Sequence, residues 1–128
     1  MDNIFPVLIM ISGGLGAVAR YIAGVWIMKR YPTPIIPIGM LAVNVIGSFF
    51  LGVLYGMIYE EPNVLYQNPY FVTIGIGFLG AFTTFSTFSV EVVQLIKEKL
   101  YKKAGLYVAV SVIGSILSFA LAFILMKI

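Results

Sequence analysis

Long apolar runs alternate with short polar ones along the whole chain. Four apolar stretches stand out, at about 5–28, 35–59, 70–96 and 104–126. Each would extend about 35–40 Å as a helix at ~1.5 Å per residue, enough to cross a bilayer. Short polar segments join them, running from Lys29 to Pro34, Glu60 to Pro69 and Lys97 to Lys103. Pro6, Pro37 and Pro69 sit near helix entrances, where first-turn N–H groups lack intrahelical acceptors anyway. The pattern predicts an all-α integral membrane protein with one four-helix domain over residues 1–128 and both ends on one side. No cationic n-region or cleavage site precedes the first run, so it is expected to remain as a span.

The third run departs from plain leucine and isoleucine. Gly75, Gly77 and Gly80 precede Thr83 and Thr84 near its midpoint. Glycine and threonine weaken a helix, and a broken helix in a membrane needs cover from protein or a cavity. Two readings fit: an unwound turn whose bare carbonyls bind a small cation, or an intact helix whose glycines pack closely. Phe82, Phe85 and Phe88 recur every three residues, which on an intact helix forms one face. Such a row is ordinary packing, or a set of positive ring edges facing an anion. Thr84, Ser86, Thr87 and Ser89 are interleaved with it, so a polar face lies beside the row.

Other spans carry further polar residues. Asn44, the amide of the second span, could donate to an anion or bond to a neighbouring helix. Tyr107, Ser111 and Ser115 form an i, i+4, i+8 stripe in the fourth. Such hydroxyls often bond back to their own i−4 carbonyls. Arg20 lies inside the first span, as an anion attractor in a wet vestibule or as a snorkelling structural residue. Glu91 is close enough to the end of the third to reach water. Ser48, Gly52 and Gly56 make a small-residue row that packs within one chain or between copies.

Composition narrows the class. With 61% hydrophobic and 10% charged residues and a mean hydropathy of +1.05, the chain is too apolar for a soluble domain. Cysteine and histidine are absent, which excludes disulfides, thiolate metal sites and histidine general bases. No enzyme is expected. The net charge of +3 comes from residues clustered at membrane edges, so a nucleic-acid partner is not expected. No carboxylate occupies the centre of a span, whereas cation pores usually show acidic rings. Amide, hydroxyl, ring-edge and guanidinium groups favour an anion. The first and third loops hold Lys29, Arg30, Lys97, Lys99, Lys102 and Lys103, against Lys127 alone on the opposite side. The positive-inside tendency then puts those two loops in the cytoplasm.

Three motifs carry a resemblance. "GGLGAVARY" at 13–21, "GMLAVNVIGSFFLG" at 39–52 and "GFLGAFTTFSTF" at 77–88 resemble the helix signatures of the Fluc (CrcB) family of microbial fluoride channels. The resemblance implies a passive fluoride exporter in the plasma membrane of a prokaryote. It further implies an antiparallel dimer, with itself or a paralogous chain, enclosing two pores and surrounded by membrane lipid. Phe85 and Phe88 match its ring-edge phenylalanines, Asn44 its pore asparagine and Arg20 its vestibule arginine. Ser86, Thr87, Tyr107, Ser111 and Ser115 fall at polar-track positions. Gly80 and Thr83 match the backbone carbonyls that hold a structural Na+. The third helix is then expected to be broken at its centre. Met40 departs from the pattern, because many members have threonine there and a thioether donates no hydrogen bond. The rival reading, a four-helix dual-topology multidrug exporter, needs a carboxylate in the first span, and this one has none.

Overall fold

In a computed structural model, residues 3–59 and 61–128 are described. Glu60, expected to open the second loop, lies outside them. Helix α1 spans Ile4–Arg30 and α2 spans Ile38–Ile58. A single turn, α3 (Pro62–Leu65), precedes the third span. That span is composite: a π-helical segment Phe71–Leu79, the turn α4 (Gly80–Phe82), a gap, and α5 (Ser86–Lys97). Helix α6 covers Tyr101–Lys127. All four spans are long and apolar enough to cross a membrane, and the protein is a multi-pass membrane protein.

The helix ends follow local chemistry. Helix α2 starts at Ile38, three residues later than its apolar run. Pro37 disfavours the helical region for Ile36 before it, and Pro37 itself is extended, with ψ 94°. Asn68 caps the third span, its Oδ1 accepting the N–H groups of Tyr70 (2.9 Å) and Phe71 (3.3 Å), with Pro69 at the first helical position. Helix α6 begins earlier than its apolar run. Lys102 and Lys103 are good helix formers whose stems can lie along apolar surface.

The third span breaks at its centre, as expected. Thr83 turns extended, with φ −79° and ψ 158°. One consequence corrects the three-phenylalanine face. Phe82, before the break, stacks on Phe78 at 6.1 Å. Phe85 and Phe88, beyond it, pair with each other at 6.0 Å.

Packing divides the spans into two close pairs, α1 with the π segment and α2 with α6. Glycine permits both. A Cβ on Gly16 would run into the Phe78 carbonyl, and one on Gly77 into the Ser12 hydroxyl. Along α2, Gly52 meets the Phe119 carbonyl and Ala122, and Gly56 meets Met126. This part of the small-residue row therefore packs within the chain. At one end an aromatic cluster joins Tyr55, Phe71, Phe119 and Phe123. There Lys127 Nζ lies 4.1 Å over the Tyr59 ring.

Gly16→Ala is expected to destabilise the fold by about 1–3 kcal/mol, since it forces backbone apart. Gly105→Ala, with nothing within 4 Å, should be neutral or stabilising. Unfolding titrations in detergent check this; equal midpoints for the two variants would mean that α1 does not depend on close approach to Phe78.

Candidate functional site: a broken helix beside an uncharged, hydroxyl-lined cavity

Breaking a helix frees backbone groups that hydrocarbon cannot satisfy. Here Asn44 satisfies them. Its Oδ1 accepts the Thr84 N–H at 2.7 Å, and its Nδ2 donates to the Thr84 carbonyl at 2.8 Å. Thr84 is buried. Its hydroxyl accepts the Thr87 N–H at 3.2 Å, satisfying a first-turn donor of α5. It also donates to Thr87 Oγ1 at 3.3 Å and lies 3.4 Å from Ser86 Oγ.

The clamp has a second effect. The Thr84 N–H would bond the Gly80 carbonyl in a continuous helix, and the Thr87 N–H would bond that of Thr83. Both donors are engaged elsewhere, so both carbonyls lose their α-helical partners. Arg20 Nη1 reaches the Thr83 carbonyl at 3.4 Å, leaving that oxygen a second lone pair. Gly80 is exposed, and its nearest neighbour to an added Cβ is the Gly75 carbonyl at 3.7 Å. Packing within this chain does not demand glycine there.

A cavity of about 410 Å³ opens beside the break. Asn44, Ser48, Thr83, Thr84, Phe85, Phe88, Ser111 and Ser115 are among its walls, and among the described residues no charged one is. Ser111 is 5% exposed, and its Oγ is the one buried side-chain polar atom without a hydrogen-bond partner among the described residues. Other hydroxyls bond back along their helices: Ser12 to the Leu8 carbonyl, Thr83 to Leu79 and Ser89 to Phe85. Ser111 does not. Fully buried Tyr107 adjoins this wall, its ring 5.1 Å from that of Phe88. Its hydroxyl donates to Glu91 Oε2 at 2.5 Å.

A second cavity, of about 550 Å³, lies between α1, α2 and α5. Arg20, Lys29, Met40, Thr87 and Glu91 line it. Arg20 therefore joins the two, lining the second while bonding a carbonyl that lines the first.

Residues 7–123 match the family model described as CrcB-like protein, Camphor Resistance (CrcB). The chain belongs to the CrcB family. It is similar to "Fluoride-specific ion channel FluC 1" of Halalkalibacterium halodurans, 51% identical over 91% of this chain and 92% of the relative. It is also similar to "Fluoride-specific ion channel FluC" of Pyrococcus furiosus, 41% identical over 99% of each chain. A protein of the same name from Nitratiruptor sp. is 41% identical over 91% of this chain and 88% of the relative.

In this CrcB chain the expected site residues divide among three places. Asn44, Phe85, Phe88, Ser111 and Ser115 share the uncharged cavity with Gly80 and Thr83. Tyr107 stands against its wall. Ser86 and Thr87 belong to the Thr84 cluster, and Thr87 also faces the Arg20 cavity. Two features escaped sequence reading. Thr84, rather than its neighbours, organises the break, and Glu91 bonds Tyr107 instead of only reaching water. The Thr83–Thr84 doublet, opposite Asn44, the lone amide of the second span, was the available signal for the first.

Asn44→Ala should leave the buried Thr84 N–H and carbonyl unpaired, costing about 1–3 kcal/mol each. The Thr84 amide is then expected to lose hydrogen-exchange protection well before amides of α6. Unchanged protection at Thr84 would mean that the break holds itself open without the clamp.

Proposed function

We propose that the chain conducts fluoride passively across the plasma membrane of a prokaryote, through pathways completed by a second, antiparallel subunit. The observation that carries this is Ser111. A buried, unpartnered hydroxyl in an uncharged cavity is a donor awaiting an acceptor, and burying it unpaired is costly. The edges of Phe85 and Phe88 carry partial positive charge and would add contacts that attract an anion without trapping it. No carboxylate on this wall favours a cation. The names of the similar proteins supply the anion's identity.

Assembly follows from the same wall. Phe85 is 79% exposed, so a single chain leaves this ring uncovered. A second chain would cover it and enclose the route. The freed Gly80 and Thr83 carbonyls, two from each subunit, suit a structural Na+. Unwound carbonyls at broken membrane helices are suitable Na+ ligands. A bound ion would neutralise carbonyl dipoles brought together across the subunit interface. Asn44 would then act chiefly through Thr84, with its remaining N–H available to the pathway.

The route would run from the Arg20 vestibule, past Thr87, to the Phe85–Phe88–Ser111 wall. Arg20 raises the local anion concentration, and the hydroxyls replace water lost from the ion. Hydrogen fluoride enters cells as a neutral acid and dissociates in a more alkaline interior. A selective pore then lets the membrane potential expel the anion without a coupling ion.

Phe85→Ile and Phe88→Ile should each cut fluoride efflux from liposomes by at least about tenfold, equivalent to a barrier raised by roughly 1.4 kcal/mol, while the assembly stays intact. A fluoride electrode, with chloride and a cationic drug as controls, reads this. Wild-type flux in both variants would reduce the rings to packing, and drug transport would revive the exporter.

Charge placement bears on the partner. Six basic residues flank the first and third loops against Lys127 opposite, and Lys127 is engaged with Tyr59. Single-orientation insertion is expected in cells, which calls for an oppositely biased paralogous chain or a scarce inverted copy. Thr33→Cys and Ile128→Cys variants, labelled singly from outside intact cells, should react only at position 128. Equal labelling would favour a dual-topology homodimer.

A further inference from the structure

Met40 is not absorbed by the pathway above, yet it stands in the vestibule wall. It lies one helical turn from Asn44 along α2, on the same face. On α1, Met28, Gly24 and Arg20 follow each other at four-residue steps, each about 6 Å along the axis. All three line the vestibule with Lys29 and Met40. Contacts between the two helices fix the level of each residue. A Cβ on Gly39 would stand 3.4 Å from Met28 Cγ, and one on Gly24 would stand 2.8 Å from Met40 Cε. The Met40 methyl group is therefore level with Gly24, deeper than Met28 and short of Arg20 along α1. An anion entering beside Lys29 passes this layer before it reaches the guanidinium.

We propose that Met40 is the gate of this vestibule, and that Gly24 is the recess in which its methyl group rests. Methionine has an unbranched, adaptable side chain. Folded against Gly24, it leaves the throat clear; swung away from α1, it puts an apolar group across the throat, where loss of water stops ions. Gly24 matters because any larger residue removes the resting place. The atom displaced would be the far end of a flexible chain, so the helices can stay packed while the thioether moves into the lumen. The gate would set throughput, whereas the Phe85–Ser111 wall acts on the ion's identity. The link to fluoride rests on the conduction reading given above.

The test uses the absence of native cysteine. Ala17→Cys places a thiol on the deeper side of the throat, among residues lining the same vestibule. Its rate of reaction with the anionic reagent sulfonatoethyl methanethiosulfonate is measured on full-length protein in liposomes. It is compared with that of Ala17→Cys combined with Gly24→Ala, with Met40→Ala, and with both. Gly24→Ala should slow labelling severalfold, Met40→Ala should speed it severalfold, and the combined variant should match Met40→Ala. Fluoride efflux of the same substitutions without the cysteine should follow this order. Equal labelling in all four proteins overturns the gate, as does slow labelling by Gly24→Ala that persists when Met40 is alanine. If labelling follows the expected order while wild-type protein passes no fluoride, the gate stands and the fluoride reading fails.

Discussion

The pairing of one side-chain amide with one backbone amide governs this molecule. Asn44 holds both the N–H and the carbonyl of Thr84, which stabilises an interruption that a membrane otherwise penalises. Those bonds divert the Thr84 N–H from Gly80, while the Thr84 hydroxyl diverts the Thr87 N–H from Thr83. Two carbonyls are released on one side of the break, and a polar first turn of α5 is organised on the other. Arg20 reaches one of those carbonyls from α1. Three spans thus meet at the Thr83–Thr84 break, and the geometry of the cavity wall depends on that meeting.

Close packing around the break is what lets such thin helices hold it. Gly47 admits the Phe82 ring and the Thr83 methyl group, and Ser118 donates to the Val45 carbonyl at 2.9 Å. The π segment places Gly77 and Phe78 against α1. With the scaffold side of the broken span fixed, its other side, including Phe85 and Gly80, remains exposed. Rigidity behind and an open face in front suit a surface that is finished by another subunit.

Much of this was legible in the amino-acid pattern, for reasons that differ by residue. Apolar run length gave four spans, and weak helix formers at Gly80, Thr83 and Thr84 marked the break, although an intact helix fitted them too. The π segment had no such signal, since a nine-residue uncharged stretch with two glycines and one threonine reads the same at either helical pitch. Asn44 stayed open between ligand and glue because a lone amide does not reveal its partner. The Phe82–Phe85–Phe88 row misled because three-residue spacing marks one face only while a helix continues, and here it stops at Thr83. Gly52 and Gly56 could equally have served contacts between copies until Phe119, Ala122 and Met126 were seen against them. Ser111 looked like any back-bonding hydroxyl. Only the three-dimensional arrangement shows that its hydroxyl has no hydrogen-bond partner among the described residues.

The central claim is that an anion meets the ring edges and the free hydroxyl beside the break. Fluorine NMR on the chain in bilayers, with carbon-13 in its phenylalanine rings and serine side chains, tests that contact directly. The account predicts magnetisation transfer from bound fluoride to the Phe85 and Phe88 rings and to Ser111. Transfer confined to groups around Arg20, with none to the rings or to Ser111, would contradict it.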